Sequence, residues 1–170
     1  MKLFTTLIRN TLAFLCLGIA LPASNAVAQQ KTLKELLVGT WLLDSVYDQT
    51  QDGIKHDTWG PGVKGIAIYD TTGHYSSQII AADRSKTASN NPRMPVGQAI
   101  AHFGTYTVDE AAKTMTDHIE RCTFPQWDGG GGTVNIAFPA EDELSITVLH
   151  PIQDPTIGPM MPHLFFKRAK

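Results

Sequence analysis

After residue 38 the chain alternates apolar and polar residues in short segments bounded by turn formers, the two-residue period of strands that bury one face. The first segment, 39–49 (GTWLLDSVYDQ), places Trp41, Leu43, Ser45 and Tyr47 on a common face. Residues 65–80 read as a hairpin turning at Thr71, Thr72 and Gly73, with glycine where a left-handed residue is wanted. A second hairpin spans 102–122 and turns at 109–111; a third spans 132–149 and turns at 140–142; residues 162–169 close the series. One strand, three hairpins and one strand make eight, predicting an all-β antiparallel up-and-down meander. Curling the meander into a barrel removes the exposed edges of a flat sheet, and eight strands can enclose one small ligand. Helix is expected only at the margins. One turn falls within 31–39 (KTLKELLVG), where Thr32 caps, Glu35 completes a capping box and Gly39 lies past the end. A second is expected at 96–103 (VGQAIAHF).

The N-terminus reads differently. Lys2 and Arg9 precede an apolar run over 11–21, and Ala26, Val27 and Ala28 supply small residues for cleavage, so 1–28 is expected to be a secretory signal peptide and 29–170 a single domain. The protein is therefore expected to be exported, to the periplasm or the exterior. The apolar run falls short of the roughly 20 residues a membrane-spanning helix needs, and no later run is long enough. Lipidation at Cys16 is disfavoured by Leu15, which stands where a small residue is wanted. Cleavage after Ala28 leaves 142 of the 170 residues and 12 basic against 16 acidic side chains, a net charge near −4. That balance gives no reason to expect nucleic acid as a partner. Only Cys122 survives processing, so the domain has no disulfide and holds itself by packing.

Candidate chemistry concentrates in 114–129 (TMTDHIERCTFPQWDG). In an extended chain Thr116, His118, Glu120 and Cys122 share one face, and Met115, Asp117, Ile119 and Arg121 the other. Neither is a clean apolar stripe. His118, Glu120 and Cys122 lack a recognised metal spacing, and the outer pair is too far apart for easy tridentate binding, so no metal is expected. Beside a carboxylate, His118 suits acid–base work, yet no nucleophile motif or cofactor fingerprint accompanies it. The reading adopted places His118 and Glu120 inside, as a polar pair orienting a ligand in an apolar pocket. Tyr75 and Tyr106 offer hydroxyls to the same ligand. The glycines at 129–132 lack the lysine of a phosphate loop and read as a flexible connection. Residues 150–163, with four prolines, read as a long connection, with Met160 and Met161 over a cavity mouth or an exposed linker. Arg84 and Arg93 lie in a polar loop over 81–95, where they could pair with an anionic head group.

Several of these phrases resemble a known family. The stretch LVGTWLLDS is similar to the glycine-x-tryptophan opening of the lipocalin superfamily, and Arg168 in FFKRA to the basic residue that packs over that tryptophan at the closed end of the barrel. More specifically, DGIKHDTWGPGVKGIAIYDTTGHYSSQI, HFGTYTVDEAAKTMTDHIERCTFPQWDG and DELSIT resemble the lipocalin-like family of small bacterial and fungal proteins, over residues 33–168. The resemblance implies an eight-stranded lipocalin-like β-barrel, structural roles for Gly39, Trp41 and Arg168, and a small, largely apolar molecule held inside. No cofactor is expected, since the chain carries no cofactor fingerprint. Two positions depart from the family pattern: Asp117 stands in place of a histidine beside His118, and the 129–132 glycines replace a more polar segment. The expected function is binding of a small, mostly hydrophobic molecule by Tyr75, Tyr106, His118 and Glu120. The rival is a barrel enzyme of isomerase or cyclase type using His118 and Glu120 as its acid–base pair, which requires both to face the interior.

Overall fold

The computed structural model describes residues 30–84 and 97–170. The leader expected at 1–28, and most of the 81–95 loop including Arg93, lie outside the described residues. A short helix, α1 (Leu33–Leu37), leads into ten strands: β1 (Gly39–Thr50), β2 (Lys55–His56), β3 (Lys64–Tyr69), β4 (His74–Ile80), β5 (Ala99–Asp109), β6 (Thr114–Cys122), β7 (Thr133–Ala140), β8 (Glu143–Val148), β9 (Ile152–Asp154) and β10 (Gly158–Arg168). All neighbours pair antiparallel, and β1 pairs with β10 to close β1, β3 to β8 and β10 into an eight-stranded barrel. The two shortest strands, β2 and β9, extend β1 and β10 beyond it. No helix among the described residues is long and apolar enough to cross a membrane.

Local chemistry sets the turns. Gly73 adopts φ 94°, and the Asp70 carboxylate accepts from the Thr72 and His74 backbone N–H groups at 2.8 Å each, fixing the β3–β4 reversal. Thr32 and Glu35 form a reciprocal capping box on α1. Glu110, from the β5–β6 turn, accepts from the Leu33 and Lys34 N–H groups at 2.7 and 3.0 Å, which pins the helix against the barrel end.

That end is plugged. Trp41 is fully buried and donates from Nε1 to the Leu37 carbonyl at 2.7 Å. The Arg168 guanidinium lies 4.2 Å from the Trp41 ring and donates to the carbonyls of Leu36 and Val38 at 2.6 and 2.9 Å. Gly39, at φ 138°, leaves the space: a Cβ there would meet Arg168 Nη1 at 2.6 Å. Above the plug, Leu43, Ala67, Met115, Ile136, Leu144 and Phe166 form the inner apolar wall.

Two elements differ from expectation. Residues 96–103 are not helical; β5 begins at Ala99. Pairing of 99–105 along the whole of β4 satisfies a backbone that an isolated helical turn would leave half unpaired. The 150–163 segment is not a loose connection either, because β9 and β10 pair there and the Asp154 carboxylate accepts from Thr156 and Ile157 at 2.8 and 2.9 Å across the reversal. Met160 is buried on β10 and Met161 half-buried.

Candidate functional site: a polar chain on the inner wall

The inner wall carries one chain of polar side chains built from three consecutive strands. The Tyr75 hydroxyl, from β4, donates to Asp117 Oδ2 of β6 at 3.1 Å and lies 2.8 Å from His102 Nδ1 of β5. Asp117 Oδ1 accepts from the Gly132 N–H at 2.7 Å. Tyr69 and Tyr106 pack around Tyr75, with Tyr69 stacked on it at 6.0 Å and edge-on to Tyr106 at 5.2 Å. The Tyr106 hydroxyl is occupied by the Asp70 carbonyl at 2.7 Å, so it braces the β3–β4 turn. Trp127, in the one-turn 3-10 helix Pro125–Trp127, stands edge-on to His102 at 6.3 Å.

Backbone irregularity brings these groups together. Between Phe103 and Gly104 the register against β6 slips: Phe103 faces Arg121 but Gly104 faces Ile119, so β6 carries an extra residue at Glu120. Met115, Asp117 and Ile119 point inward before the bulge, and Cys122 returns to the inner side after it, opposite His102. Gly104 permits the close approach, since a Cβ there would sit 1.9 Å from the His118 carbonyl oxygen. Beyond Thr133 the chain leaves β7 but stays on β6. Asp117 N–H donates to the Gly132 carbonyl at 3.0 Å, Ile119 N–H to that of Gly130 at 2.8 Å, and Gly129 N–H to that of Ile119 at 2.8 Å. The glycines at 129–132 are therefore a bonded extension of the sheet and not the flexible connection expected. A Cβ on Gly131 would meet the Asp117 carbonyl oxygen at 2.0 Å.

His118 and Glu120 are exposed on the opposite face from Asp117 and Ile119, which corrects the expectation that they face the interior. The rival acid–base pair loses the enclosure it requires. Tyr75 and Tyr106 are buried on the inner side. His102 and Asp117 were the residues that sequence reasoning passed over as site members. Asp117 stood out only as a departure from the family pattern, and His102 fell at the edge of the turn expected to be helical. Among the described residues, no group of three His, Cys, Asp or Glu side chains converges as a metal site.

Electrostatics follow from burial. Burial pushes the His102 pKa below its ordinary value of 6.5, with the Asp117 charge opposing, so the imidazole is neutral at pH 7. Burial, reinforced by Asp117, raises the Tyr75 and Tyr69 phenols well above their ordinary range. His163, on β10, is shifted downward by burial and by Lys55, with Asp48 opposing. Its Nε2 is buried without a hydrogen-bond partner among the described residues. For a histidine held down in this way the unfolded chain binds the proton more readily. The stability it contributes is complete above pH 6.5 and is lost as pH falls from there through the folded-state pKa. The denaturation midpoint is therefore expected to decline on acidification from pH 7 to 5, and less steeply in His102→Phe. Equal slopes for the two proteins would show that His102 does not carry the effect.

A second inward acid, Asp48, is buried on β1 and accepts from the Thr58 hydroxyl, tying the 57–60 loop to the barrel. An open hollow of about 270 Å³ lies at the β1 irregularity beside Asp44, Phe165 and Lys167, and none of its lining residues belongs to the polar chain.

A closed antiparallel eight-stranded barrel, plugged at one end by a helix over a buried tryptophan, defines a lipocalin-type architecture. The sequence over residues 38–156 matches the model of the lipocalin-like domain, and the chain belongs to that family. No curated protein matches the chain.

Proposed function

We propose that the barrel holds one small, mostly hydrophobic molecule against the Tyr75–His102–Asp117 chain, in a protein exported by its N-terminal leader. The observation that carries this reading is the chain itself. Three polar side chains from three strands are linked to one another on an inner wall built largely of apolar residues, whereas the closed end is already sealed by Trp41 and Arg168. Buried polar groups of this kind are costly unless paired, and a few convergent polar groups in an apolar enclosure are what orient a bound molecule. Tyr75 supplies the central hydroxyl, and Tyr106 shapes the wall behind it.

The test is a fluorescence titration with N-phenyl-1-naphthylamine, a neutral dye that brightens on leaving water. Saturable binding is expected for the wild type, weakened at least about fivefold in Asp117→Ala, because the buried Tyr75 hydroxyl then loses its acceptor. His118→Ala, on the outer face, should bind as the wild type does. Absence of saturable brightening, or sensitivity to His118 in place of Asp117, would remove interior binding against this chain.

A further inference from the structure

The direction of each hydrogen bond along the polar chain constrains what a guest can offer it. Both Asp117 oxygens already accept, Oδ1 from Gly132 N–H at 2.7 Å and Oδ2 from the Tyr75 hydroxyl at 3.1 Å. A carboxylate only accepts, so the single Tyr75 proton is directed to it. The Tyr75 oxygen is then an acceptor toward His102, and the 2.8 Å contact requires the hydrogen on His102 Nδ1. A neutral imidazole protonated at Nδ1 has a bare lone pair at Nε2. Nε2 has no hydrogen-bond partner among the described residues, and the ring is flanked edge-on by Tyr75 at 5.4 Å and Trp127 at 6.3 Å.

We propose that this site selects guests with a flat apolar body carrying a hydroxyl or N–H donor, and that His102 Nε2 accepts that hydrogen. The inference rests on interior binding and gives it a ligand class. Burial supports it independently, because it disfavours a second proton on His102 and so keeps the lone pair available near neutral pH. A ketone or ether of the same shape brings only lone pairs toward Nε2 and gains nothing there. The selectivity originates in Asp117, two hydrogen bonds away, which makes Tyr75 a positioning residue that sets the histidine tautomer.

The experiment compares 2-naphthol with 2-fluoronaphthalene, two flat molecules of nearly equal size of which only the first has a donor, using the purified protein at pH 7.5. The wild type should bind 2-naphthol about five- to tenfold more tightly, the net effect of one hydrogen bond to the imidazole after water is displaced from it. In His102→Phe that ratio should fall to about one. Tyr75→Phe keeps the imidazole but frees its tautomer, and should narrow the ratio as well. Nitrogen-15 shifts of the unliganded His102 ring give an independent reading, with the hydrogen expected on Nδ1. Equal binding of the two molecules by the wild type, or a hydrogen on Nε2, overturns the donor preference while leaving interior binding intact. If neither molecule binds, interior binding and the donor preference fall together.

Discussion

Trp41→Ala is expected to lower the unfolding free energy by about 4 kcal/mol, the usual range for removing a large buried aromatic side chain. Trp41 has no exposed surface, and three interactions depend on it: its hydrogen bond to Leu37, the cation–π contact of Arg168 at 4.2 Å, and packing beneath the inner wall. Once the ring is gone, the Arg168 guanidinium lies over a void and α1 loses its buried anchor. The loss is a large fraction of the roughly 5–15 kcal/mol that holds a domain of this size together. Urea denaturation of the variant beside Leu42→Ala, which alters an adjacent but exposed side chain, separates the plug from general surface effects. A Trp41→Ala loss below about 1 kcal/mol, no larger than that of Leu42→Ala, would mean that the plug does not hold the barrel shut.

Gly104→Ala is expected to be nearly as damaging, for a different reason. The added Cβ would lie 1.9 Å from the backbone carbonyl oxygen of His118, a contact that no rotamer change can relieve. Strands β5 and β6 must separate or the bulge must shift, and overpacking against backbone costs about 3 kcal/mol or more. Moving the bulge also disturbs the site, because the alternation of faces along β6 depends on where the extra residue sits. A smaller residue loss of stability with a complete loss of dye binding would still fit, since Asp117 would have turned from Tyr75. Wild-type stability together with wild-type binding in Gly104→Ala would contradict the close β5–β6 approach.

The same bulge explains what could be read in the chain beforehand and what could not. Most strands were legible, because 39–49, 65–80 and 132–149 alternate cleanly and are punctuated by turns. Thr32 and Glu35 announced the cap of α1. Strand β6 defeated the same reasoning. Counting every second residue from Thr116 to Cys122 assumes an unbroken pleat, but the extra residue at Glu120 switches faces partway. The inner set of Met115, Asp117 and Ile119 looked more polar than it is because Arg121 was counted with it. Once the switch is known, Arg121 belongs outside and Cys122 inside. His102 was missed because it falls where the helical turn expected at 96–103 overlaps the start of the 102–122 hairpin, which leaves its place relative to Tyr75 undefined. Side-chain hydrogen bonds across sequence separations of 27 and 42 residues, as between Tyr75 and its two partners, leave no local trace. The glycines at 129–132 misled in the opposite direction, since glycine marks freedom in a loop and close backbone approach in a sheet.

The central claim, a guest seated inside the barrel against the Tyr75–His102–Asp117 chain, is tested most directly by proton–nitrogen correlation spectra of the labelled protein titrated with N-phenyl-1-naphthylamine. Saturable shifts are predicted at the amides of Tyr75, His102, Asp117 and Ile119 and at the Trp127 indole, with those of Leu42, Asp44 and Lys167 on the outer surface unmoved. Shifts confined to the outer hollow beside Asp44 and Lys167, with the inner-wall amides unmoved at saturation, would contradict it.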